Sequence, residues 1–299
     1  MQKISAKIAM TLAACLLMPV AYGAPNVLFL SPTEGYPGWQ DSVKNAYVTA
    51  GATVTDRSAA LSGPAISPTL FNGKDVVVIA TSGANIETVA NRSVIEAALA
   101  NRPDDDLAFI FHYEGCCHSG TNMSHWTNAL NTLTGWTLAE SGSQNLPSAS
   151  PNFKAPRNDA SPYASYFSGA TLANLDIGQS QQYRVMTGVP DANTIYHNTP
   201  TAFTGRADGA YTLFIPRSES SHGNGACVLF MGDTNSLDPA APYATQRSAF
   251  ASAALALATS AHCKRPQPTH AVPTLHGWGL GLLAACMGTL GWARQRRRA

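Results

Sequence analysis

Charge is scarce in this chain of 299 residues: 19 basic and 18 acidic side chains make up only 12% of it. Six of the basic residues, Lys3, Lys7 and four arginines from Arg294 onward, sit at the two ends, where there is no acid. The central body keeps 13 basic against 18 acidic residues, a net charge of about −5. A mildly acidic body without a basic stripe lacks the electrostatic footprint that nucleic-acid binding needs, which excludes nucleic acid as a partner. No internal repeat is present, so solenoids and propellers are excluded as well. Cysteine is sparse, with six residues, and none of them stands in a standard zinc-ligand spacing.

The two ends carry the clearest signals. At the front, Lys3 and Lys7 precede an apolar stretch from Ile8 to Val20, followed by Ala21-Tyr22-Gly23. Positive charge, apolar run and small residues around a cut after Gly23 are the marks of a secretory signal peptide. At the back, no charged residue occurs from Gly277 to Ala293, about the shortest run that spans a bilayer as a helix. Trp278 and Trp292 lie near its ends, and Arg294, Arg296, Arg297 and Arg298 follow at once. Interfacial aromatics and a cytoplasmic arginine cluster give one topology, with the body outside and the arginines inside.

The residues before that span are Val272-Pro273-Thr274-Leu275-His276-Gly277-Trp278-Gly279. They resemble the IPTL-CTERM sorting signal, with valine in place of its isoleucine. The resemblance implies export and passage through the inner membrane of a Gram-negative bacterium. It also implies an exosortase-type enzyme as partner, and a membrane anchor that processing can remove on the way to the cell surface.

Between the ends, strand and helix signals alternate. Asn26–Pro32 is a short apolar run ending in turn residues, Gly38–Gly51 has helical spacing, and Ala52–Ser58 reads as a second strand. Lys74–Gly83 is β-branched throughout, as in a strand buried on both faces. Asn85–Pro103 reads as a helix stopped by proline, Leu107–Gly115 as a strand and Ser124–Trp136 as a helix. From about Ser141 the texture changes. Glu140–Ser165, rich in Ser, Pro, Asn and Ala, reads as a long surface excursion. Beyond it come β-type segments at Gln181–Val189, Thr194–Asn198 and Thr201–Arg217, the last with Asp208-Gly209 as a hairpin turn. Ala226–Asp238 returns to a buried strand and Tyr243–Cys263 is a closing helix.

The expected fold is α/β, a doubly wound and mostly parallel sheet of flavodoxin or amidotransferase type. A β-rich, loop-rich later half and one C-terminal transmembrane helix complete it. The map is signal peptide 1–23, α/β domain 24–263, linker 264–271 and sorting signal 272–299, with the span at about 277–293. The element order, together with Val228–Asp233 before the final helix, resembles the class I glutamine amidotransferase-like superfamily, including its trehalose-utilisation-type relatives.

Parallel sheets bind ligands beyond the carboxyl ends of their strands. The most unusual loop there is His112-Tyr113-Glu114-Gly115-Cys116-Cys117-His118-Ser119-Gly120. Three readings are open. Gly115–Ser119 resembles the amidotransferase nucleophile turn except at its last glycine, which implies a cysteine nucleophile at Cys117, with His118 and Asp233 as further catalytic candidates. The histidine and glutamate that the resemblance requires after a late strand are replaced by Asp233-Thr234-Asn235, which argues against classical amidotransferase chemistry. Glu219-Ser220-Ser221-His222 precedes the last strand and belongs to the opposite edge. Alternatively His112, Glu114 and His118 hold a metal, since residues 112 and 114 of a strand point the same way. In the third reading Cys116 and Cys117 form a strained vicinal pair or a rigid binding surface.

Cys227 begins the last strand, and Cys263 ends the helix that runs back antiparallel to it, so these two form the natural disulfide of an exported domain. Trp39, Trp126 and Trp136 fit helix faces packed on the sheet. The expected function is a surface-sorted binding or accessory module, with Glu34, His112, Glu114, Asp233 and Asn235 as binding candidates and no cofactor specified. The alternative is an extracytoplasmic hydrolase or metal-dependent enzyme using the same edge.

Overall fold

The structure, a computed structural model, describes residues 23–32, 37–81, 88–113, 120–140, 144–145, 154–177, 182–183, 185–198, 209–232, 237, 239–240 and 243–265. The sorting motif Val272, Pro273, Thr274, Leu275, Trp278 and Gly279, the apolar span and the signal peptide all lie outside the described residues. Among the described residues no helix is long and apolar enough to cross a membrane.

Strands β1 (Asn26–Leu30), β2 (Thr53–Arg57), β3 (Val76–Ala80) and β4 (Ala108–His112) alternate with helices α1 (Pro37–Thr49), α2 (Val89–Ala100) and α3 (Gly120–Thr134). Short strands β5 (Ala139–Glu140), β6 (Gln144–Asn145), β7 (Lys154–Pro156), β8 (Asn174–Asp176), β9 (Gln182–Tyr183) and β10 (Met186–Thr187) follow. Then come β11 (Thr194–Asn198), β12 (Gly209–Ile215), β13 (Cys227–Met231) and α4 (Ala244–Ala258). The main sheet runs β2-β1-β3-β4-β13-β12-β10-β5, with β11 also paired to β12. From β2 to β13 every pairing is parallel; β12, β10, β5 and β11 extend the sheet in antiparallel pairs. This is the mostly parallel α/β sheet expected.

Alternation along the strands sends apolar side chains to both faces. Val27, Phe29, Val78, Ile110 and Leu229 meet Tyr47 of α1 and Phe250 and Leu257 of α4. On the other face, Leu28, Val77, Phe109, Phe111 and Phe230 meet Ile95 and Leu99 of α2 and Trp126 and Leu130 of α3. Trp126 is fully buried with its ring 4.9 Å from that of Phe111, so it is a packing residue, as its spacing indicated. Helix α2 begins later than the sequence reading, at Val89, because the Thr88 side chain accepts from the Asn91 N–H and caps it.

Two sequence expectations are corrected. The hairpin turn was placed at Asp208-Gly209, but Gly209 is the first residue of β12 and pairs with Asn198, so the partner strand is β11. A Cβ on Gly209 would meet the Met186 carbonyl oxygen at 2.7 Å, so the glycine serves close backbone approach rather than a turn. The second half of the supposed surface excursion is also internal: Ala155, Asn158, Ser161, Tyr163 and Ala164 are buried. Its backbone is satisfied by the β7–β8 pairing and by the Asn158 N–H donating to the Ile195 carbonyl, which lets the segment pack inward despite its polar composition.

Candidate functional site at the carboxyl edge of the sheet

The order β2-β1-β3-β4-β13 puts the reversal of winding between β1 and β3. In open α/β sheets this switch point opens a crevice at the carboxyl ends of the strands. The residues that follow β1 and β3 at this point are Ser31 and Thr81, both buried. The Ser31 carbonyl accepts from the Leu61 N–H at 3.1 Å, and the Thr81 N–H donates to the His112 carbonyl at 3.1 Å. Glu34, which follows β1 in sequence, and residues 82–87, which follow β3, lie outside the described residues.

His112 closes β4 and is completely buried. Its neighbours on the strand face, Ala108 and Ile110, are core residues packed under α1 and α4, and the imidazole follows them inward. Its Nε2 lies 2.6 Å from the Tyr47 hydroxyl, and its ring meets Phe250 edge-on with centroids 5.9 Å apart. Burial penalises the charged form and pushes the His112 pKa down to about 3, so the ring is neutral at ordinary pH. The same burial raises the Tyr47 hydroxyl well above its ordinary value, which keeps it a proton donor or acceptor rather than an anion.

A row of polar groups lies at this level. Backbone pairing aligns Ala80 with His112, His112 with Met231 and Met231 with Thr212. Ser31 continues the row, since Leu30 pairs with Ile79. Ser31 Oγ, His112 Nδ1 and Thr212 Oγ1 are buried and make no hydrogen bond among the described residues. Unpaired buried polar atoms are rare in folded proteins. Here three of them underlie the edge where the candidate loops begin. Sequence reasoning singled out His112 but missed Ser31, Thr212 and Tyr47. A serine directly after the apolar run of β1 was the available signal for the first; nothing in the spacing identifies Tyr47.

Of the other site residues read from the sequence, Glu114, Cys116, Cys117, His118, Asp233 and Asn235 lie outside the described residues. Among the described residues no group of three or more His, Cys, Asp or Glu side chains could hold a metal ion. At the opposite edge Cys227 and Cys263 form a disulfide, with Cα atoms 5.3 Å apart. The segment after α4 is fixed there further. The Arg217 N–H donates to the His262 carbonyl and the Arg265 N–H to Asp106 Oδ1, and Lys264 pairs with Asp106. Glu219 and His222 belong to turns just before β13, on this same edge and away from the crevice.

Residues 270–297 match the IPTL-CTERM motif, a sorting signal for processing by an exosortase-type enzyme. Among solved structures, a ThuA-like protein from Bacteroides uniformis is similar at 12% identity with a TM-score of 0.50, covering 82% of this chain and 96% of that one. A ThuA-like protein from Parabacteroides merdae shares 12% identity with a TM-score of 0.40, covering 82% and 92%. At that identity the first likeness shows the fold, which is the amidotransferase-like one named from element order. No curated protein matches the chain.

Proposed function

We propose that the protein is an exported domain delivered to the cell surface, where it binds a ligand or partner through the carboxyl-edge loops and performs no classical amidotransferase chemistry. The address rests on the IPTL-CTERM motif at residues 270–297. The binding role rests chiefly on His112. This is the one described member of the His112, Glu114 and His118 set, and its ring is buried in the core with Nε2 against the Tyr47 hydroxyl. Burial of this imidazole, with its Nε2 against the Tyr47 hydroxyl, favours a packing role for His112 over a metal ligand or general base, and so supports binding over catalysis at this edge. In such folds the switch point between β1 and β3 is where a ligand is received, and Glu34, which follows β1 in sequence, and Asp233 and Asn235, which follow β13, are the binding candidates we retain.

Ammonia release from glutamine by the full chain tests the chemical half of this reading. No release is expected from the protein, from Cys116→Ser or from Cys117→Ser. Release that vanishes in Cys117→Ser alone would establish the enzyme reading, with Cys117 as nucleophile.

A further inference from the structure

Asparagine is followed by glycine at two places in the chain, Asn72-Gly73 and Asn224-Gly225. Such a step carries its own reaction. The glycine nitrogen can attack the side-chain carbonyl carbon of the asparagine, and with no Cβ on the attacking residue nothing crowds the approach. The fold holds the two steps under opposite conditions.

Phe71, Asn72, Gly73 and Lys74 form a type II turn. Asn72 has φ −63° and ψ 133°, Gly73 has φ +69°, and the Lys74 N–H donates to the Phe71 carbonyl at 3.2 Å. This turn bond uses the N–H of the fourth residue and leaves that of the third, Gly73, outside it. Asn72 and Gly73 are both exposed. Neither the Asn72 side chain nor the Gly73 N–H has a hydrogen-bond partner among the described residues. A Cβ on Gly73 would meet nothing within 4 Å, so the peptide there is free to turn.

Asn224-Gly225 is pinned. The Gly225 N–H donates to the Ser220 carbonyl at 3.0 Å, and the Asn224 carbonyl accepts from the Arg102 N–H at 2.7 Å. Gly225 is buried, and a Cβ on it would stand 2.1 Å from Ser220 Oγ and 2.8 Å from the Leu99 carbonyl oxygen. The nitrogen that would attack is therefore both engaged and packed.

We propose that Asn72 is a site of spontaneous deamidation in the folded protein, and that the fold protects Asn224 from the same reaction. The Gly73 nitrogen bonds to Cγ of Asn72 and loses its proton, and the side-chain amide leaves as ammonia, which closes a five-membered succinimide. One water, the only co-reactant, then opens the ring at either carbonyl and leaves aspartate or isoaspartate at position 72. Attack requires rotation about ψ of the asparagine. At Asn72 this breaks the single turn bond to Phe71. At Asn224 it breaks the bonds to Ser220 and from Arg102 and moves a packed glycine. The additional hydrogen bond and the packing together put Asn224 at least about tenfold behind Asn72. The product adds one negative charge to a body already near −5. Its isoaspartate form adds a methylene to the main chain beside Phe71, whose buried ring lies 5.9 Å from that of Phe109. The site is independent of the carboxyl edge and of the function proposed for it.

Peptide mapping by mass spectrometry tests this on the full chain held at mildly alkaline pH, in native buffer and in guanidinium chloride, with heavy-oxygen water to mark ring opening. In native buffer Asn72 should convert to a mixture of isoaspartate and aspartate, with Asn224 at least about tenfold slower. In denaturant the two rates should converge, since the reacting steps are chemically alike. Asn72→Gln, whose longer side chain would have to close a larger ring, should abolish conversion at this position and leave the Asn224 rate unchanged. Four results would overturn the assignment: equal rates at the two sites in the native protein, a difference that persists in denaturant, conversion of Asn72 in denaturant alone, or aspartate without isoaspartate.

Discussion

The Tyr47 hydroxyl lies 2.6 Å from Nε2 of His112, within a core that shuts both rings off from water. The pair joins the first helix of the domain to the middle of its sheet, and it makes one imidazole of the fold a stability sensor.

In the unfolded chain this imidazole titrates near 6.5, and in the folded protein near 3. Between those values the unfolded state binds a proton that the folded state does not. Its contribution is therefore complete above about pH 6.5 and is lost as pH falls toward 3, by at most about 1.4 kcal/mol per pH unit. Urea unfolding at pH 7, 5.5 and 4.5 should show a steeper acid loss in wild type than in His112→Gln. Parallel curves would remove His112 as the cause.

The Cys227–Cys263 disulfide closes a loop of 36 positions. The chain-entropy account gives such a loop roughly 3 to 4 kcal/mol, a large part of an ordinary domain's stability. Cys227→Ser should lower the melting temperature and leave one reactive thiol at Cys263, while Cys116→Ser should leave the 227–263 bond in place. Peptide mapping of the oxidised protein that joined Cys227 to Cys116 or Cys117 would contradict the expectation, drawn from the sequence, that the two pairs belong to opposite edges.

Two glycines with positive φ separate conformational strain from collision. Gly51 has φ +91° and open space where a Cβ would stand; Gly188 has φ +77° and the Thr137 carbonyl oxygen 2.2 Å from that point. Gly51→Ala should cost about 1 kcal/mol from the backbone alone. Gly188→Ala adds a backbone clash, typically about 1 to 3 kcal/mol more. Equal losses in thermal or urea unfolding would mean that β10 and the 137–138 segment are not packed as described.

For the sorting signal, the residues that define the motif should matter after export and not before. The double variant Pro273→Ala, Trp278→Ala should still be exported but should accumulate unprocessed in the inner membrane. Fractionation and immunoblotting check this, and normal surface delivery of the variant would strip the motif of its role.

Why some of this was legible and some was not follows from the residues. Val76–Ala80 and Cys227–Met231 are unbroken apolar runs, the form a strand takes when helices cover both its faces, so their nature showed at once. The place of β13 between β4 and β12 did not show, since pairing order leaves no trace in periodicity. Strands β5 and β10 are two residues long, too short for any alternation. Imidazole chemistry drew attention to His112, and its burial shows only in the packing. The parity of Ala108, Ile110 and His112 already placed it on a core face. Gly209 was read by its neighbour Asp208, a turn signal, whereas close approach to Met186 governs it. The carboxyl edge of the sheet was legible from the order of elements; the buried Ser31, Thr81 and Thr212 along it were not, because unremarkable hydroxyl residues gain meaning only from what surrounds them.

The central position of β13 also bears on how the chain matures. A polypeptide that emerges amino end first exposes β1 to β4 well before Cys227–Met231 appears. Until then the outer side of β4 is an open row of backbone donors and acceptors, a template for pairing with any extended chain nearby. The missing strand arrives only near the end, inserts between two neighbours already waiting, and brings with it the cysteine that Cys263 must find. Sealing of the sheet is thus a late and long-range event, slow by the general relation between contact distance and folding rate.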